Sequence, residues 1–197
     1  MTQRVLGITV LGDFILSEGV EPVIRNLQRA GVTAVACNPT VTAAADEQTG
    51  SFQPPIDAGS SPRVFDRPLF GQQALWVRSG VSYQPDPECY QDCDYAARQP
   101  NDLTKEHGHV IGDFVQAAVD AGMKVYFQLG AAQPSGLRDE DRPRGPSGEL
   151  ITGRMADTGS LASEAIRSYN RCYVRDLVKA YPLISGFRID WPEYPCY

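Results

Sequence analysis

Close to the end of the 197-residue chain, the run Gly186-Phe187-Arg188-Ile189-Asp190-Trp191-Pro192-Glu193-Tyr194-Pro195 gathers two carboxyls, a guanidinium and three flat aromatic rings. On a strand, Arg188 and Asp190 share one face, and Phe187 and Ile189 share the other, which suits packing under helices. An arginine two residues from a carboxylate favours its ionised form by charge pairing. An ionised aspartate at the C-terminal end of a strand is what a sugar-cleaving nucleophile requires. Glu193 follows in a loop stiffened by Pro192 and Pro195 and could supply a second carboxyl. Trp191 and Tyr194 offer the apolar faces on which sugar rings stack. A structural ion pair inside a sheet is the competing reading of Arg188 and Asp190, and Glu193 could equally be a solvated loop acid.

Three further polar residues, Asp13, Asn38 and Gln128, fall at or just after the ends of expected strands. If those strands are parallel, the three residues would ring the same rim as Asp190 and could bind substrate. Cys89, Cys93, His107 and His109 invite a metal test, but Cys-x3-Cys followed by His-x-His departs from the usual zinc spacings. A Cys89–Cys93 loop disulfide and unpaired loop residues are the alternatives. No metal and no cofactor is expected. Arg138 to Arg144 mixes both signs of charge around prolines and reads as a solvated loop. The chain contains no phosphate loop, dinucleotide fingerprint or Gly-x-Ser-x-Gly elbow.

The elements that must position these residues alternate. Arg4 to Leu11 reads as a strand, and a helix follows from about Glu21 with Pro22 in its first turn and Val23, Ile24, Leu27 and Ala30 at helical spacing. Gly31 ends that helix, and Val32 to Cys37 is a second strand. Residues 40 to 101 are rich in Pro, Gly, Ser, Asp and Gln and lack a sustained period, so a long loop is expected there, with a small strand at Leu75 to Val81. Thr104 is expected to N-cap a helix carrying Val110, Ile111, Phe114, Val115, Ala118 and Val119. Gly122 ends it, and Lys124 to Leu129 is the third main strand. A second loop covers about 130 to 159. The helix from Leu161 to Ala180 has Ile166, Tyr169, Tyr173, Val174 and Leu177 as its apolar face, and Ile184 to Asp190 is the fourth main strand. Strands alternating with helices predict a parallel sheet. The long segments all follow strands while the helix-to-strand turns are short, as in a (β/α) barrel, although an open doubly wound sheet shares that asymmetry.

Composition constrains the partners. With 42% hydrophobic and 21% charged residues the chain is an ordinary globular one. A formal charge of -6 and a pI near 4.9, with no basic run, argue against nucleic acid or an anionic membrane as partner. No stretch approaches the length of a membrane span, and the interrupted apolar start does not resemble a signal peptide, so a cytoplasmic location is expected. Five cysteines, Cys37, Cys89, Cys93, Cys172 and Cys196, an odd number in a chain that is not small, argue against a disulfide framework. Cys37 and Cys172 sit in apolar patterns and read as core.

The run Gly-Phe-Arg-Ile-Asp at Gly186–Asp190 resembles the fourth-strand motif of the α-amylase family of glycoside hydrolases. The resemblance implies that Asp190 is the nucleophile and that Arg188 orients it. The longer Asp-Trp-Pro-Glu-Tyr-Pro run is more similar to bacterial glycoside-hydrolase-like barrel proteins outside the true amylases. Lys124-Val125-Tyr126-Phe127-Gln128 lacks the amylase Asp and Asn-His signature, and the family's fifth-strand acid falls beyond the chain. The expectation is therefore one α/β domain over 1–197 of (β/α) barrel type, supplying the first four strands. A full barrel needs eight strands and typically about 250 residues, so a truncated product, or pairing with a missing half or a second copy, is expected. The expected activity is hydrolysis of an oligo- or polysaccharide by Asp190 and Glu193, with Arg188, Trp191, Tyr194, Asn38, Gln128 and Asp13 binding substrate. The chain alone is expected to be inactive or nearly so. A non-catalytic carbohydrate-binding barrel and an unrelated small-ligand enzyme with an open sheet are the alternatives. Sequential strand order separates the barrel from the open sheet.

Overall fold

The computed structural model describes residues 4–54, 64–130, 133–150 and 158–190, with the backbone alone at Gly130 and Asp190. Four strands, β1 (Gly7–Thr9), β2 (Ala34–Cys37), β6 (Lys124–Gly130) and β7 (Gly186–Asp190), form one sheet in the order β1-β2-β6-β7. The sheet is parallel. In register, Gly7 pairs with Ala34 and Cys37 with Phe127. The order is sequential, without the reversal that defines an open doubly wound sheet. All four residues of β2 are buried, the state of a parallel strand covered on both faces. The chain forms two compact units.

The first unit comprises 1–83, 100–127 and 183–186. Helices α1 (Gly12–Glu18) and α2 (Val20–Arg29) follow β1, and α3 (Asp102–His107) and α4 (His109–Asp120) precede β6. Val23, Ile24 and Leu27 of α2 and Ile111, Phe114, Val115 and Ala118 of α4 are buried, and the two helices pack on each other. The two Ala-Gly junctions of the sequence are the same stop signal used twice. Gly31 and Gly122 adopt positive φ of 72° and 79°. Val32 N–H donates to Leu27 O at 3.0 Å and Met123 N–H to Ala118 O at 2.9 Å, while Gly31 and Gly122 N–H bond Gln28 O and Val119 O. This is the Schellman pattern, in which a left-handed glycine lets the chain turn straight into the next strand.

Several expectations are corrected in this unit. The segment 40 to 101 is not a structureless loop. It carries β3 (Thr40–Ala44), β4 (Ser51–Gln53) and β5 (Leu75–Val81), an antiparallel sheet in the order β3-β5-β4. Val41, Leu69, Leu75, Val77 and Val81 are buried there. Only β5 has a local signature. β3 pairs Thr40 with Val81, so the partners are distant in sequence and no local period betrays them. α1 is also unforeseen, because its N-cap, Leu11, makes no side-chain capping bond. Thr104 is not an N-cap. Asn101 caps α3, and Thr104, three residues on, completes a capping box.

The second unit comprises 84–99, 128–182 and 187–197. Its main helix is α5 (Glu164–Ala180), N-capped by Ser163, whose Oγ accepts from Ile166 N–H at 3.3 Å. Ile166, Tyr169, Cys172, Asp176 and Leu177 are its buried residues. Asp176 thus occupies the buried face on which an apolar residue was expected, and Val174 lies half-buried beside it. Tyr169 meets Tyr90 and Tyr95 at 6.1 Å between ring centroids and stacks on Tyr173 at 6.0 Å. Between 133 and 150 the chain makes a 3-10 turn at Asp139–Asp141 and an isolated bridge between Arg144 and Leu150. Ile189 of β7 is 54% exposed, so the packing under a helix expected of it is not realised.

Candidate functional site

Neighbouring strands bring two of the sequence-derived candidates together. Gln128 lies on β6 and Arg188 on β7, and Arg188 Nη1 donates to Gln128 Oε1 at 3.1 Å. Gln128 is half-buried and Arg188 exposed. This bond uses one of the five N–H donors of the guanidinium and ties β7 to β6 through their side chains. Asp190 is the last residue of β7, two positions beyond Arg188, at the strand end where the sequence places it. Its side chain and all of Glu193, Trp191 and Tyr194 lie outside the described residues.

The other two candidates belong to the first unit. Asn38 directly follows β2 and is half-buried. Asp13 is not at a strand end, because β1 closes at Thr9 and Asp13 falls in the first turn of α1. Its carboxyl is drawn from water, and burial raises its pKa above the ordinary value. The hydrogen bond from the Thr42 side chain on β3 and a backbone N–H oppose this without cancelling it. Asp13 is therefore a carboxyl kept at an electrostatic cost.

Two buried acids escaped sequence reasoning. Asp141 is 5% exposed and accepts from Tyr95 Oη at 2.5 Å, Ser163 Oγ at 2.5 Å and Arg138 Nε at 2.7 Å. The Arg138 guanidinium lies 5.1 Å from the Tyr95 ring centroid. Burial alone would raise the Asp141 pKa, but the bonds from Ser163, Tyr95 and Arg138 together bring it below the usual carboxylate range. The stretch read as a solvated loop is thus pinned through this carboxylate. Its partners Tyr95 and Ser163 are too far away in sequence to have signalled it. Asp176, 1% exposed, accepts from Asp86 N–H at 3.0 Å and Tyr90 Oη at 3.2 Å. Both acids have the bonding of structural anchors, and their lone pairs face the protein's own donors.

Among the described residues no group of three or more His, Cys, Asp or Glu is arranged to hold a metal ion. Cys89 and Cys93 fall in the second unit, and His107 and His109 in the first, while Cys89 and Cys93 are free thiols. The first unit contains a cavity of about 420 Å³ lined by residues including Ile8, Val10, Phe14, Val23 and Leu27. It contains none of the candidate residues and is walled mainly by aliphatic groups. Among the described residues no helix is long and apolar enough to cross a membrane.

No protein-family model matches the chain, and no curated protein matches it. Among solved structures, the chain is similar to a noncanonic maltogenic α-amylase from Thermotoga neapolitana, with a TM-score of 0.49 and 16% sequence identity. The alignment covers 96% of this chain and 39% of that one. The chain therefore spans well under half the length of that protein.

Proposed function

We propose that the chain is part of a glycoside-hydrolase-like barrel acting on an oligo- or polysaccharide, with Asp190 as nucleophile or base. The observation that carries this reading is the Arg188–Gln128 hydrogen bond across β6 and β7. It places a positioned guanidinium two residues from a strand-end aspartate in a sheet of sequential order. Sequential parallel strands are the arrangement from which a barrel closes, and barrel sites are built at strand C-termini.

In this reading the sugar lies over the ends of β6 and β7. Arg188 keeps Asp190 ionised and turned toward the anomeric carbon, and Gln128 holds the guanidinium in place. Glu193 is the second carboxyl, and Trp191 and Tyr194 stack on the sugar rings. Hydrolysis with retention needs the two carboxyls about 5–5.5 Å apart, and inversion needs about 6.5–9.5 Å.

The test is hydrolysis of a panel of oligosaccharides and aryl glycosides by the chain extended to an eight-stranded barrel and by its Asp190→Asn and Glu193→Gln variants. Asp190→Asn keeps the shape and removes the charge, so it should abolish turnover while leaving sugar binding and the melting temperature intact. Recovery of turnover by azide would support a nucleophile. Turnover by Asp190→Asn at the unmutated rate would refute the assignment. Sugar binding without turnover in any form would favour the non-catalytic carbohydrate-binding barrel.

A further inference from the structure

One face of α5 is matched residue by residue to the segment 86–95 of the same unit. Tyr169, Cys172, Asp176 and Lys179 are spaced by three or four residues and so lie along one side of the helix. Lys179 pairs with the Asp86 carboxylate. Asp176 accepts from Asp86 N–H and Tyr90 Oη. Tyr169 meets the rings of Tyr90 and Tyr95. The segment therefore runs antiparallel to the helix, from Lys179 back to Tyr169. Cys93 lies between Tyr90 and Tyr95, and Cys172 lies between Asp176 and Tyr169, so the two cysteines are brought face to face. Cys93 packs against the core cluster to which Cys172 belongs. Cys89 and Cys172 are buried in the tyrosine-rich core, and Cys93 packs against it from a half-exposed position. All three are free thiols.

We propose that Cys93 and Cys172 are a redox pair that closes on reaction with a low-molecular-weight disulfide and locks the segment 86–95 onto α5. Cys93 is the thiol that solvent reaches. Its thiolate attacks one sulfur of the external disulfide, forms a mixed disulfide and expels the first external thiolate. The Cys172 thiol then loses its proton to solvent and attacks the Cys93 sulfur, expelling the second external thiolate. Two protein thiols are oxidised and one external disulfide is reduced to two thiols. Cys89 is the bystander, since it lies on the buried side of the same turn. Because the bridge joins positions far apart in sequence, it removes chain entropy from the unfolded state.

The experiment treats the protein with oxidised glutathione and maps tryptic peptides without reduction. The expected product is the peptide 79–98 joined to the peptide 172–175, with the mass of two hydrogens lost, and dithiothreitol should reverse it. The linked peptide should persist in Cys89→Ser and vanish in Cys93→Ser, a half-exposed substitution that the fold should tolerate. The oxidised protein should melt several degrees higher than the reduced one. A link that survives Cys93→Ser, a Cys89–Cys93 bridge within the peptide 79–98, or a stable glutathione adduct without any link would each overturn the pairing. An unchanged melting temperature in the linked protein would overturn the lock.

Discussion

Asp13 and Asp141 are both carboxyls drawn from water, and their surroundings push them in opposite directions. Asp141 has a lowered pKa in the fold. Its contribution is complete above the unfolded value near ~3.9 and is lost as pH falls through the folded value. Asp13 has a raised pKa. The folded state holds its proton more tightly, so stability declines as pH rises from the unfolded value through the folded one. Melting curves from acid to neutral pH should show both slopes. Asp13→Asn should remove the decline and leave the protein at least as stable at neutral pH. Asp141→Ala should cost roughly 1–3 kcal/mol, because it strands buried donors on Tyr95 and Ser163. A neutral Asp141→Ala would show that water replaces the carboxylate. Around the candidate site, the strand Gly186–Asp190 was legible because its residues alternate as a strand requires. That Gln128 would bond Arg188 was not, since only the strand order makes β6 and β7 neighbours.

The elements that the sequence announced are those with a local period or a local stop. α2, α4, α5, β2, β6 and β7 have one or the other, and the glycines at 31 and 122 mark two of the ends. The small antiparallel sheet has neither, because its order depends on β3 and β5 finding each other across a long interval. Amides of β3 and β5 should accordingly resist hydrogen exchange, and rapid exchange throughout 40–81 would contradict the sheet. Two substitutions test the close fits around it. A Cβ at Gly12 would lie 2.7 Å from the Thr40 carbonyl oxygen, so Gly12→Ala must displace α1 from β3 and should cost about 1–3 kcal/mol. Asn101 caps α3 through Thr104 N–H and also donates to Ser79 O at 3.0 Å. Asn101→Ala should cost about 1 kcal/mol for the cap alone, read as a lower urea midpoint.

At the scale of the molecule, alternation of strand and helix foretold the α/β class and the parallel sheet. In the order β1-β2-β6-β7 each later strand of the sheet lies beside the sheet strand that precedes it in the chain. Division into two compact units was not foretold, because the second unit is assembled from three separated stretches of chain. A sugar bound by Arg188 and Asp190 must meet the chain at the C-terminal ends of β6 and β7 and not at their starts. The most direct measurement is an oligosaccharide titration followed through backbone amide resonances. Shifts should concentrate at Gln128 to Gly130 and Arg188 to Asp190, with Lys124 and Gly186 unmoved. Shifts confined to the first-unit cavity around Val10 and Leu27, or none at saturating sugar, would contradict a carbohydrate site built on Arg188 and Asp190.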